Sequence, residues 1–176
     1  MKIYLLLIFV LCSSASAQVI YAQDEALERA FSGAREVIRT NVILNSDQAE
    51  SISSRYRVSI SKGIVSFFEG IGADGHSLGY AFIDSGVIRS HTGVFMVVLL
   101  PDGTTKDVFV LAFNEPPEHI PSDRWLDQLN GKPVTEQPVP GKNVPTIMGS
   151  TLSVIAITNS VRRVQALYKE VVMSGK

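Results

Sequence analysis

Cysteine is almost missing from this chain: of 176 residues only Cys12 is one, and it sits in the N-terminal apolar stretch. Beyond that stretch there is no thiol to oxidise and no pair to bridge, which excludes disulfide scaffolds and cysteine nucleophiles. An excess of charge of one sign is missing too. The formal net charge is −1, and no basic stripe is available to track a phosphate backbone, so nucleic acid is not an expected partner. His76, His91 and His119 are far apart and lack any paired metal-ligand spacing, so no metal is expected. No Gly-x-Ser-x-Gly elbow is present, which removes the commonest signature of a serine hydrolase. Repeats and low-complexity runs are absent as well.

What is there begins with a leader. Lys2 supplies a positive start, Ile3 to Leu11 is apolar but too short to span a bilayer, and Ala15-Ser16-Ala17 offers an A-x-A processing site. Residues 1–17 therefore read as an export signal, and 18–176 as one exported, periplasmic or otherwise extracytoplasmic domain. That length is enough for a single core.

Periodicity then divides the domain. Asp24 to Arg39 repeats apolar residues at helical steps through Ala26, Leu27, Ala30, Phe31, Ala34, Val37 and Ile38, predicting one long helix. A shorter helix is predicted from Asn45 or Ser46 to Tyr56, with Ser46 as its cap. Strand character begins at Arg57, with Val58 and Ile60, and continues through Ile64 to Ile71, Ser77 to Asp84, Gly93 to Leu100 and Lys106 to Asn114. Ala73-Asp-Gly-His76 and Pro101-Asp-Gly-Thr104 are tight-turn signals between these runs. Short turns join antiparallel neighbours, so the reading is an α+β fold: an antiparallel meander, helices at both chain ends, one sheet face covered. Ser122 to Leu129 reads as a short helix, and 130–144 as a Gly- and Pro-rich connection.

The stretch from Val144 to Val161 carries the chemistry. Gly149, Ser150, Thr151 and Ser153 lie where a turn becomes an amphipathic helix, whose apolar face is predicted to contain Leu152, Ile155, Ala156, Val164, Leu167, Tyr168 and Val171. The free N–H groups of a first helical turn, at the positive end of the helix dipole, suit a phosphate. They also suit an ordinary Ser/Thr cap, and these residues alone fit both.

Four blocks in order change the weighting: Gly75 to Ile83, Thr92 to Gly103, Glu115, and Arg124 to Lys132, followed by Gly149-Ser-Thr-Leu-Ser153. Together they resemble the FMN-binding domain family over roughly residues 45–164. That family includes flavoprotein subunits of the Rnf and sodium-pumping quinone reductase complexes and the extracytoplasmic part of the nitrous-oxide-reduction regulator. Its terminal motif is Asp-x-x-Ser/Thr-Gly-Ala-Ser/Thr, whose last hydroxyl carries FMN as a phosphoester. The resemblance matches Gly149 to the glycine, Ser150 to the alanine and Thr151 to the flavin-bearing residue, with Leu152 and Ser153 beside it. Pro145 stands where the family has Asp, and Met148 where it has Ser or Thr.

The resemblance further implies that Glu115, Trp125 and Gln128 lie near the isoalloxazine ring. Read without it, Trp125 fits a core plug, Glu115 a solvated strand end and Gln128 an exposed helix residue. An FMN electron carrier implies two partners, a flavin transferase and a membrane redox complex or other extracytoplasmic electron-transfer protein. The alternative is a flavin-free binding, structural or regulatory module of the same fold. The leader generates the first prediction. Protein recovered from an exporting host should begin at Gln18 by N-terminal sequencing; material beginning at Met1 would contradict the leader reading.

Overall fold

The computed structural model describes residues 18–174; the leader and its processing site lie outside them. The strands are β1 (Gln18–Val19), β2 (Glu36–Leu44), β3 (Gly63–Ile71), β4 (Ser77–Val87), β5 (Thr92–Leu99) and β6 (Thr105–Phe113). They form one antiparallel sheet in the order β1-β6-β5-β4-β3-β2. Helices α1 (Gln23–Ala30) and α2 (Ser46–Tyr56) come early, the single turn α3 (Asp123–Leu126) and long α4 (Thr151–Leu167) late. A wider π-type turn, Tyr168–Met173, continues α4. The architecture is α+β, a meander of β2 to β6 extended by the two-residue β1 and flanked by N- and C-terminal helices.

Both faces of the sheet are covered, where the sequence led to one. Alternation along the strands assigns the faces. Phe67, Tyr80, Phe82, Phe95, Val97 and Leu99 belong to a core with Ile52 of α2, Trp125 and Leu126 of α3, and Val154, Ile157, Val161 and Val164 of α4. Phe68, Ala81, Met96 and Val98 point the other way, into a smaller core with Ala26, Leu27 and Ala30 of α1 and with Phe31. Burial on two sides explains why Phe95 to Leu99 is an unbroken apolar run rather than an alternating one.

The helix predicted over 24–39 does not form as one element. It stops at Ala30; Gly33 adopts a positive φ of 82°, and Glu36–Leu44 becomes β2, paired with β3 over its whole length. Val37 and Ile38 fit a helical period only by coincidence. As β-branched residues they suit a pleated surface, and the β3 ladder satisfies backbone groups that no local pattern reveals. The strand expected from Arg57 also fails to appear before Gly63. Arg57 is the left-handed cap of α2 (φ 54°), and Ser53 Oγ receives the Ile60 N–H at 3.0 Å. Val58 and Ile60 still pack on the larger core. At the start of α2 the cap is Asn45 rather than Ser46, in a reciprocal box with Gln48.

The buried stripe of α4 is rotated from the expected one in its first turns. Leu152 and Ile155 are 43% and 39% exposed, whereas Val154, Ile157 and Val161 are fully buried. Ser153, Ala156 and Ser160 are small enough to sit on the packed side and let the helix approach the sheet, so size decides the face as much as hydropathy does. From Val164 through Tyr168 the expected residues are buried as read. Accordingly, Ile157→Ala should lose about 2–5 kcal/mol in urea unfolding. Ile155→Ala should cost about 1 kcal/mol or less, as surface changes do. Equal losses would contradict this helix orientation.

Candidate functional site

Gly149 has a φ of 85°, a conformation glycine adopts without strain, and it turns the chain into α4. Ser150 donates its N–H to Ile147 O at 3.2 Å, and the Val154 N–H closes on Ser150 O at 3.0 Å. No side chain caps this end, although Ser150 occupies the cap position. The Thr151 hydroxyl is exposed and donates to Ile147 O at 3.2 Å. The first-turn N–H groups therefore present an uncapped positive dipole end to whatever lies in front of them.

In front of them is a cleft of about 240 Å³, lined by Gly149, Ser150, Thr151, Leu152 and Ser153 together with Ile88, Arg89, Glu115 and His119. Ser153 is 1% exposed, and its Oγ is a buried oxygen with no hydrogen-bond partner. An orphaned hydroxyl at the wall of a cleft is costly unless something else satisfies it. A phosphate oxygen is a chemically suitable acceptor for that hydroxyl and for the neighbouring N–H groups.

Glu115 builds the opposite wall. Its carboxylate is buried, and a single oxygen, Oε1, accepts the backbone N–H groups of Arg89 (3.2 Å), Ser90 (2.9 Å) and His91 (3.1 Å). The Ser90 N–H is the largest cause holding this carboxyl down at about 2. Burial pushes the other way and is outweighed by the further bonds from His91 and Arg89. His91 Nδ1 lies 3.4 Å from the same oxygen and 3.1 Å from Ser90 Oγ. Glu115 is thus neither a solvated strand end nor a free base. It fastens the β4–β5 turn to the end of β6.

Six of the residues singled out in the sequence meet in this cleft: Glu115, Gly149, Ser150, Thr151, Leu152 and Ser153. Trp125 and Gln128 do not line it. Trp125 is buried in the larger core and donates its indole N–H to Pro145 O at 2.8 Å, tying α3 to the loop that precedes the cleft. Gln128 is exposed and reaches only Arg124 O, at 3.4 Å. Ile88, Arg89 and His119 line the cleft without having been singled out for it. They lie in turns far from residue 149 in sequence, and nothing local marks them. Among the described residues no group of three His, Cys, Asp or Glu side chains could hold a metal ion.

The fold and cleft together describe an α+β domain in which the uncapped N-terminus of α4 borders a small cleft of mixed polar and apolar lining. No protein-family model and no curated protein matches the chain.

Glu115 makes the cleft wall sensitive to acid. Its folded value lies below the ordinary 4.5, so its contribution to stability is present above that pH and is lost as pH falls through about 2. Glu115→Gln should flatten this part of an acid-unfolding curve followed by circular dichroism. A curve unchanged in shape would disconnect Glu115 from acid stability.

Proposed function

We propose that the protein is an exported electron carrier that uses FMN, held by its phosphate at the N-terminus of α4 and esterified to Thr151. The observation that carries this reading is the convergence of Gly149 to Ser153 with Glu115 around one cleft whose donors include an uncapped helix end and the unpartnered Ser153 hydroxyl. The resemblance to the FMN-binding domain family assigns Gly149, Ser150 and Thr151 to the flavin phosphoester, whereas it expected Glu115 near the ring; Glu115 instead lines the cleft beside that motif. Bound there, the flavin would supply the redox chemistry, and the chain would orient it and set its exposure. Thr151 suits attachment because its hydroxyl is exposed to a transferase while its backbone starts the helix. The resulting phosphodiester keeps one negative charge beside the helix N–H groups.

The size of the cleft favours a particular pose. At about 240 Å³ it is smaller than the roughly 300–1,000 Å³ of pockets that enclose whole small ligands. It suits the phosphate and the start of the ribityl chain. The ring then lies outside, where Met148 is 99% exposed and Leu152 and Ile155 add apolar surface. Trp125, tied to Pro145, would act on the ring only through the loop it holds. An exposed ring is what exchange of electrons with a membrane redox complex or another extracytoplasmic protein calls for.

A second reading, a flavin-free binding or regulatory module, is favoured by Pro145 and Met148, the two departures from the family motif. Intact-mass measurement after co-expression with a flavin transferase separates the two. The protein should gain one FMN less one water, and Thr151→Val should abolish that gain without unfolding the chain. Met148→Ser with Pro145→Asp should raise the modified fraction. Flavin retained covalently by the Val variant would contradict the attachment site, and no flavin on any variant would favour the flavin-free module.

A further inference from the structure

We infer that Arg89 is the phosphate-binding cation of this cleft, and that Glu115 is a positioning residue that holds it there. The inference rests on reading the cleft as a phosphate seat, and extends that reading to two residues from other elements. Arg89 lines the cleft opposite Thr151 to Ser153, on the short turn between β4 and β5. That turn closes through the Ile88 N–H on His91 O at 3.0 Å, and Glu115 Oε1 gathers its three successive N–H groups. Its backbone is therefore pinned just where the Arg89 side chain departs. Among the described residues, the Arg89 guanidinium has no carboxylate partner, a state it shares with Arg35, Arg39, Arg57, Arg124 and Arg162; what distinguishes Arg89 from them is its place in the cleft wall.

Charge gives the reason for a cation here. The Glu115 carboxylate lies in the wall of the same cleft and repels an incoming anion. Its three N–H bonds offset only part of that charge. An uncapped helix end carries about half a unit of positive charge, spread over several N–H groups. A phosphate bearing one or two negative charges needs a further full cation, and of the cleft's lining residues Arg89 is the one that is positively charged at every physiological pH. Its planar fork can take two phosphate oxygens at once while the helix N–H groups and the Ser153 hydroxyl take others. The ligand class selected is a phosphomonoester or a phosphodiester, against the same molecule without phosphate.

The experiment uses the processed protein made without a flavin transferase, so that binding is reversible. Inorganic phosphate, FMN and riboflavin are titrated separately and followed by heteronuclear NMR of the 151–153 amides and the Arg89 Nε–H, with thermal melts to monitor folding. Phosphate and FMN should shift both groups of signals together. Arg89→Gln should weaken phosphate and FMN about 10- to 100-fold, the range for a hydrogen bond to a charged group, and leave riboflavin unchanged. Glu115→Ala should weaken FMN in the same sense although Arg89 is intact, because the loss of three bonds that order the turn outweighs the relief of repulsion. Glu115→Gln, which keeps an acceptor oxygen and removes the repelling charge, should bind FMN more tightly than Glu115→Ala. A change in FMN binding with none in riboflavin is not what a purely structural role would produce. Phosphate binding at 151–153 without FMN binding would uphold Arg89 while sinking the flavin reading. Arg89→Gln binding both phosphates like the parent would overturn the inference, as would a parent protein that binds neither. An affinity for FMN unmoved in folded Glu115→Ala would overturn the positioning role.

Discussion

Packing of α4 on the sheet sets the position of everything else in the cleft. Val154, Ile157, Val161 and Val164 are fully buried in one core with Tyr80, Phe82, Phe95 and Val97 from the middle strands. Side chains of this size contribute roughly 1.5–3 kcal/mol each when removed from water, so the helix has little freedom to slide or rotate. Fixing its body also fixes its first turn. The N–H groups of Thr151 to Ser153 are held beside the β4–β5 turn and the end of β6. Small residues on the packed side, Ser153, Ala156 and Ser160, permit the close approach, and the hydroxyls of Ser153 and Ser160 bring polar atoms into an apolar layer. Of those, Ser153 alone also borders the cleft. A polar residue buried for packing reasons thus borders the cleft with its hydroxyl unpartnered.

A second constraint comes from Glu115. A buried carboxylate is costly unless its lone pairs are satisfied, and here the turn supplies three donors. The exchange is mutual, since the same bonds order a turn that would otherwise show its backbone to water. Trp125 acts similarly on the other side, burying its ring in the core and spending its one polar atom on Pro145. Neither residue needs to touch a ligand to matter. Both remove freedom from the loops around the cleft, which would lower the ordering cost of any binding there.

Several parts of this arrangement are legible along the chain because their causes are local. The Asp-Gly turns, the apolar runs of β3 to β6, the helix ending at Tyr56 and the turn into α4 at Gly149 follow from turn chemistry, side-chain alternation and helix capping. Gly149 to Ser153 mark the turn into a helix for the same reason, but whether a side chain caps that turn was open in the sequence, and the structure leaves it uncapped. β2 was hidden because pairing with β3, not the pattern of Glu36 to Leu44, makes it a strand. The orientation of α4 was hidden because Leu152 and Ile155 are as apolar as Val154 and Ile157, and only the shape of the sheet face chooses between them.

The sequence by itself therefore determined the fold class, most strand and turn positions, and the residues of one wall of the cleft. Each of those depends on interactions spanning a few residues, which periodicity and turn preference record directly. Tertiary structure alone decided that both sheet faces are covered, that Trp125 serves the core, and that Glu115 binds backbone rather than solvent. It also brought Arg89 and His119 to Thr151. These depend on contacts between residues tens of positions apart, and no local pattern encodes a partner at that distance.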